Sequence, residues 1–176
     1  MNAILVAGIG NIFCGDDGFG VEVVERLAQR TIPDGVRVMD IGIRGVHLAY
    51  ELLNGYRAAI LVDTAQRGEA PGTLSLIEPA VDAATQPAMS AHDLDPAAVL
   101  ELVGRLGGAC PRILVLACEP LSLGGEDGAM GLSPPVAAAI EPALAMLERL
   151  IATLLRDDDV LPGAPISAKQ PERSLA

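Results

Sequence analysis

Apolar positions along this chain fall into two alternating kinds of segment. Short, mostly aliphatic runs occur at Ala3 to Gly8, Val36 to Met39, Ala58 to Val62 and Ile113 to Ala117. Runs of that length, bounded by turn residues, predict strands buried on both faces. Thr73-Leu74-Ser75-Leu76-Ile77 alternates instead, which predicts a half-exposed strand at a sheet margin. Between the runs the spacing changes. From Gly18 to Arg30, Phe19, Val21, Val24 and Leu27 form an apolar stripe against Glu22, Glu25, Arg26 and Arg30, the pattern of an amphipathic helix. Further helices are predicted from about Val46 to Leu53, stopped by Asn54-Gly55, and from Pro96 to about Leu106, with Asp95 as N-cap and Gly107-Gly108 at the end. The last opens at Ser133-Pro134 and runs to about Leu155, with a kink expected at Pro142. Glu78 to Ser90, rich in Pro and Ala, reads as a surface loop. Alternating strands and helices imply an α/β fold, a three-layer α/β/α sandwich on a mostly parallel sheet of about five strands. A single domain is expected over residues 1–155. The charged segment 156–176 lacks an apolar stripe and is expected to be a disordered tail.

Composition sharpens this picture. Of 176 residues 51% are hydrophobic, yet only two Phe and two Tyr occur and no Trp, so the core must be packed with Val, Leu, Ile and Ala. The net charge of -11 argues against nucleic acid or an anionic membrane as partner, because both repel an acidic surface. Three cysteines, Cys14, Cys110 and Cys118, have no regular spacing and suit a reducing compartment. No basic segment precedes the first apolar run, and no uncharged run is long enough to span a bilayer. A soluble, cytoplasmic protein is expected.

The most informative stretch is the turn after the first strand, Gly8-Ile9-Gly10-Asn11-Ile12-Phe13-Cys14-Gly15-Asp16-Asp17-Gly18. It is glycine-rich but fits neither common phosphate motif. A dinucleotide fingerprint needs glycine where Phe13 stands, and a P-loop needs Lys and Ser or Thr where Asp16 and Asp17 stand. Two carboxylates at a helix N-terminus repel phosphate while the helix dipole tolerates them, so the turn suits a cation or a proton. One aspartate suffices as a helix cap, the bland role open to both.

Sites in open α/β sheets form beyond the carboxyl ends of parallel strands, so Asp17, Asp40 and Asp63 are expected at one edge. Asp40 serves either as a second-layer or substrate contact or as a turn residue; Asp16 has the same two readings. Of the two histidines, His47 starts a helix between Val46 and Leu48 and reads as a surface or packing residue. His92 precedes a helix in a loop beside Asp93 and reads as a ligand. Asp17, Asp63 and His92 together would offer oxygen and nitrogen donors of a kind that suits zinc or nickel. Cys14, next to the acid pair, reads as a small hydrophobe, since no histidine adjoins it in sequence.

Several blocks carry a family resemblance: Gly8-Ile9-Gly10-Asn11 with Gly15-Asp16-Asp17-Gly18-Phe19-Gly20, Leu61-Val62-Asp63-Thr64-Ala65 with Pro71-Gly72-Thr73, Ser90-Ala91-His92, and Gly131-Leu132-Ser133-Pro134 with Ile140-Glu141-Pro142-Ala143-Leu144. Collinear over about residues 3 to 150, they resemble the maturation endopeptidases of nickel-iron hydrogenases. That resemblance implies an enzyme that removes a short C-terminal extension from a nickel-loaded large-subunit precursor. It places the metal-contacting groups on Asp17, Asp63 and His92. It also implies that nickel arrives with the substrate, that the free enzyme holds no metal tightly, and that the enzyme is a monomer. Two departures stand out. Asp40 is followed by Ile41-Gly42-Ile43-Arg44-Gly45 where many members have Gly-Gly-Thr, and Asp17 stands where some carry Glu, one methylene longer.

Three chemical roles remain open at the residue level: docking onto the substrate's nickel, a carboxylate acting as general base, or two carboxylates sharing a proton. The rival from another class is a non-catalytic accessory protein that checks the precursor for nickel without cutting it. A nucleotide-binding domain is more distant.

Overall fold

Period-two alternation sends successive side chains of a strand to opposite faces, and in the computed structural model both faces are covered. Residues 3–79, 96–107, 109, 111–124 and 128–156 are described. In chain order they form β1 (Ile4–Ile9), a single 3-10 turn (Gly15–Gly18), α1 (Phe19–Ala28), β2 (Val36–Gly42), α2 (Gly45–Leu52), β3 (Ala58–Thr64), β4 (Leu74–Ile77), α3 (Pro96–Arg105), β5 (Arg112–Cys118), α4 (Pro134–Ala138) and α5 (Ile140–Arg156). The five strands make one sheet in the order β2-β1-β3-β5-β4. All neighbours are parallel except β4, which lies antiparallel on β5 at the margin. The expected three-layer α/β sandwich with a mostly parallel sheet is the observed fold.

Each face has its own core. Ile4 and Val6 of β1, Ile60 and Val62 of β3, and Leu114 and Leu116 of β5 pack with Phe19, Val23 and Leu27 of α1 and Leu144, Leu147 and Ile151 of α5. Leu5, Ala7, Leu61, Ile113 and Val115 point the other way, onto Leu48 and Leu52 of α2 and Val99 and Val103 of α3. Of the four aliphatic runs expected to be covered on both faces, β1, β3 and β5 are interior, whereas β2 is an edge strand, its run interrupted by the exposed Arg37. β2 and β4, with alternating patterns, are the edges. No helix of the described residues is long and apolar enough to cross a membrane.

Strands extend further toward their carboxyl ends than the apolar runs suggest, so Asp40 and Asp63 lie within β2 and β3. At the end of β2 the register with β1 slips between Gly8 and Ile9, which bulges β2 at Ile41. Arg44 folds back over the bulge, its Nε donating to the Ile41 carbonyl at 2.9 Å and its Nη2 to the Asp40 carbonyl at 2.6 Å. The last helix is broken at Ala139, not kinked at Pro142. Proline has no N–H to return to the carbonyl four residues back, yet it is tolerated in a first turn, so Pro142 becomes the third residue of a new helix. Outside the described residues lie most of the expected loop (Ala80 to Ser90), the Asp95 cap, Gly108, Cys110 and the tail after Arg156, which itself ends α5.

The start of α1 rests directly on the sheet backbone. A Cβ on Gly20 would stand 2.1 Å from the Val62 carbonyl oxygen and 2.3 Å from that of Ile9, and one on Gly8 would stand 2.3 Å from the Gly20 carbonyl oxygen. Gly20→Ala must therefore lift α1 off β1 and β3, and it is expected to lower stability by roughly 1–3 kcal/mol, the usual cost of overpacking. Gly104, in α3 with no heavy atom within 4 Å of an added Cβ, should respond oppositely: Gly104→Ala gains about 0.5–1 kcal/mol from helix propensity. Urea unfolding of both variants checks the pair; a wild-type midpoint for Gly20→Ala contradicts the contact.

Candidate functional site

After β1 the chain doubles back tightly. Gly10 has φ +125°, and a Cβ there would lie 1.8 Å from the Asp17 carbonyl oxygen, so only glycine lets the turn close on Asp17. Closure brings the Asn11 N–H to Asp17 Oδ2 at 2.7 Å. Across the sheet edge, the Thr64 hydroxyl reaches Asp17 Oδ1 at 3.4 Å, and the Thr64 N–H donates to Asp63 Oδ1 at 2.7 Å. Thr64 thus links the two aspartates, one through its side chain and one through its backbone. Both carboxylates are largely buried, Asp17 at 9% and Asp63 at 6% exposure. Alternation along β3 explains the geometry: Asp63 continues the Ala59 and Leu61 face toward α2 and α3, while Thr64 continues the Ile60 and Val62 face toward α1.

Asp16 has a different role from its neighbour. It is 1% exposed, and its carboxylate accepts four hydrogen bonds: Leu121 N–H at 2.8 Å, Ser122 N–H at 3.0 Å, Ser133 N–H at 2.6 Å and the Ser133 hydroxyl at 2.9 Å. Burial alone would raise its pKa, but the donors from Ser133, Ser122 and Leu121 outweigh that and hold it below the ordinary 3.8. The carboxylate caps neither the 3-10 turn nor α1. It anchors the segment after β5 and the start of α4 beneath the acidic turn, and its burial and saturation leave it no access to substrate. Ser133, the N-cap residue of α4, spends its hydroxyl on Asp16 instead of on its own helix.

A second buried acid was missed by sequence reasoning. Glu119, directly after β5, is 8% exposed; its carboxylate accepts Arg67 N–H at 2.7 Å and Gly68 N–H at 3.2 Å. Its backbone exchanges bonds with Thr73 and Gly72, so it holds the loop between β3 and β4. The only signal was an acid ending a buried strand, the same one that marked Asp40 and Asp63. The Cys118 thiol is buried, and that burial, with Asp16 and Glu119 nearby, pushes its pKa to about 11, so it is no nucleophile. Cys14 is half-buried and pairs as a lone parallel bridge with Ala129.

Asp40 comes to the same end of the sheet but on the exposed outer strand, where its carboxylate lies 3.9 Å from Arg44. His47 is exposed on α2, as a surface reading requires. His92 lies outside the described residues. Among the described residues no three His, Cys, Asp or Glu side chains form a metal-holding group. What the described residues place at the carboxyl edge is two buried carboxylates, one of them in contact with the threonine that follows the other; each is a group able to accept a proton or to offer oxygens to a metal.

Comparison with known proteins gives a uniform picture. Residues 21–150 match the family model described as hydrogenase maturation protease. The chain is 37% identical to the hydrogenase expression/formation protein HoxM of Azotobacter vinelandii, over 98% of this chain and 89% of that protein. It is 35% identical to the hydrogenase 2 maturation protease of Escherichia coli K12, over 86% of this chain and 90% of that one. Among solved structures, the hydrogenase maturating endopeptidase HybD from E. coli superposes with a TM-score of 0.73 at 34% identity, covering 90% of this chain and 94% of its own.

The four-bond environment of Asp16 makes stability depend on pH with a definite sign. Its folded pKa lies below the unfolded value, so its contribution is complete above about pH 5 and is lost as pH falls through the unfolded and then the lower folded value. Asp16→Asn is expected to lose roughly 2 kcal/mol or more at neutral pH, since charge-assisted bonds contribute about 1.5–3 kcal/mol each and only part of the set survives. It should also show a shallower stability decline than wild type between about pH 5 and pH 3. Denaturant midpoints across that range decide it; parallel declines in the two proteins contradict the assignment.

Proposed function

This chain belongs to the hydrogenase maturation protease family, and on that premise we propose that Asp17 and Asp63, joined by His92, form the site at which it cuts its substrate. It is an endopeptidase that removes the C-terminal extension of a hydrogenase large-subunit precursor, and family membership decides for the enzyme over the non-catalytic accessory protein. The observation that supports the site reading is that two buried carboxylates from separate elements, Asp17 and Asp63, stand at the same carboxyl edge, where the Thr64 hydroxyl, next in the chain to Asp63, reaches Asp17 at 3.4 Å. The placement of α3 adds support. His92 stands four residues before Pro96, and α3 packs on the face to which Asp63 points.

Nickel enters this reading as part of the substrate, already seated in the precursor. Two carboxylates and an imidazole are donors that nickel accepts, and docking onto it would fix the scissile peptide bond relative to the pair. Bound there, the metal supplies Lewis acidity. The chain's own residues do the proton work. A carboxylate of the pair takes a proton from water as its oxygen bonds to the peptide carbonyl carbon, and a proton returns to the leaving nitrogen as the carbon–nitrogen bond breaks. Asn11 N–H and the Thr64 hydroxyl hold Asp17 in place while this occurs. Asp40, on the outer rim beside Arg44, is read as a substrate contact. A monomeric cytoplasmic enzyme accompanies this reading, supported by the net charge of -11, which opposes self-association.

The test is cleavage of nickel-loaded precursor followed by mass spectrometry. Wild type should remove a C-terminal peptide, and Asp63→Asn and His92→Ala should each slow this by about 100-fold or more, the usual share of an acid-base group. If both cut at the wild-type rate, the site assignment is wrong. Precursor lacking nickel should be cut far more slowly; equal rates would remove nickel from the reading.

A further inference from the structure

The 3-10 turn has two sides, and the catalytic reading uses one. Asp16 and Asp17 point into the protein, whereas Gly15 and Gly18, three residues apart and hence superposed in a 3-10 turn, line a groove of about 420 Å³ on the other side. Its floor and lip are apolar: Ile140, Leu132, Ile12 and Met130. One wall, from α1, carries Glu22 and Glu25 against a single cation, Arg26, which Glu22 already pairs at 2.8 Å.

The lip gathers three of the exposed large apolar side chains of the described residues beside the groove. Met130 is 75% exposed, Ile12 45%, and beside them Phe13, one of only two phenylalanines, is 60% exposed. These tips are held in place. Ala129 N–H donates to the Phe13 carbonyl at 2.9 Å, and Gly15 N–H to the Ala129 carbonyl at 2.6 Å, which cross-ties the loop after β1 to the segment before α4. A preformed apolar lip loses little entropy on binding. It is also continuous with the candidate site, because Ile12 follows Asn11, whose N–H holds Asp17.

We infer that this groove is a docking site, separate from the point of cleavage, for a segment of the large-subunit precursor that carries a large apolar side chain next to a Lys or Arg. The inference rests on the endopeptidase reading of the Asp17 and Asp63 edge. The apolar side chain enters over Ile12 and Met130 onto Leu132 and Ile140. Its cationic neighbour meets the Glu22 and Glu25 wall, on a protein whose net charge of -11 favours such a partner. Because the 3-10 turn lies between groove and carboxylates, the docked segment is held across the turn from the bond that is cut. Docking there lowers KM and leaves the chemical step alone.

Steady-state cleavage of full-length nickel-loaded precursor by the full-length enzyme tests this. Ile12→Ser combined with Met130→Ser should raise KM about tenfold with kcat within about twofold, the pattern of lost uniform binding. Glu25→Lys should raise KM by about threefold or more at low salt, with the penalty shrinking as salt is added. Leu76→Ser, an equally exposed apolar residue on β4, should change neither constant. Thermal melts at the wild-type temperature show that these surface changes leave the fold intact. Unchanged KM in both groove variants overturns the inference, as does a fall in kcat alone or an equal rise in KM for Leu76→Ser. Normal cutting by Asp63→Asn and His92→Ala would instead strike the site reading, so the two failures are distinguishable.

Discussion

A carboxylate taken out of water must be met by donors or give up its charge, and Asp16 meets that demand with four hydrogen bonds from residues more than a hundred positions away. The turn after β1, the segment after β5 and the start of α4 are three separate pieces of backbone at one end of the sheet. Val136 and Leu132 join the α1 core, but apolar packing alone does not fix how the turn and the segment after β5 meet them. The buried acid does, and the cross-tie through Ala129 extends the same contact to the rim. The adjacent carboxylate, Asp17, is thereby presented on a turn that cannot shift without breaking those bonds.

The glycines do a complementary job. Gly20 and Gly8 let α1 begin on the backbone of β1 and β3, and Gly10 lets the turn close on Asp17. Together they bring the carboxylate within reach of Thr64 on β3, although it sits on a turn beyond β1. A glycine-rich turn at this place in an α/β sheet commonly holds phosphate on backbone N–H groups. Here the close approach is between protein and protein, and the Asn11 N–H that might have faced an anion is given to an aspartate. The same kind of turn here holds a carboxylate in place of a phosphate.

That division of labour accounts for a site built from poorly matched parts. Asp63 is fixed by strand alternation and by its successor's N–H, and Asp17 by a turn. Thr64 touches both, its N–H on Asp63 and its hydroxyl on Asp17. Asp40 shares the carboxyl end but belongs to the edge strand, where Arg44 engages it and also closes off the carbonyls freed by the bulge. Arg44 lies in the segment Ile41-Gly42-Ile43-Arg44-Gly45, one of this chain's departures from the commoner family pattern.

Much of this was legible in the chain itself. Short aliphatic runs between turn residues suit strands covered on both faces, so the layers, the parallel core and the marginal β4 were legible, β2 was mistaken for an interior strand, and acids at the run ends marked one edge of the sheet. Side-chain partners across the chain were not legible, because hydrogen bonds between residues 16 and 133, or 17 and 64, leave no periodic trace. Asp16 and Asp17 look alike in sequence, both acids at a helix start. The family resemblance singled out Asp17, but only tertiary structure gives the physical difference, burying Asp16 among backbone donors as an anchor and bringing Asp17 to Thr64 of β3. For the same reason Thr64, Glu119 and Arg44 were overlooked: their importance lies in what the fold brings to them, and an isolated threonine, glutamate or arginine carries no mark of that.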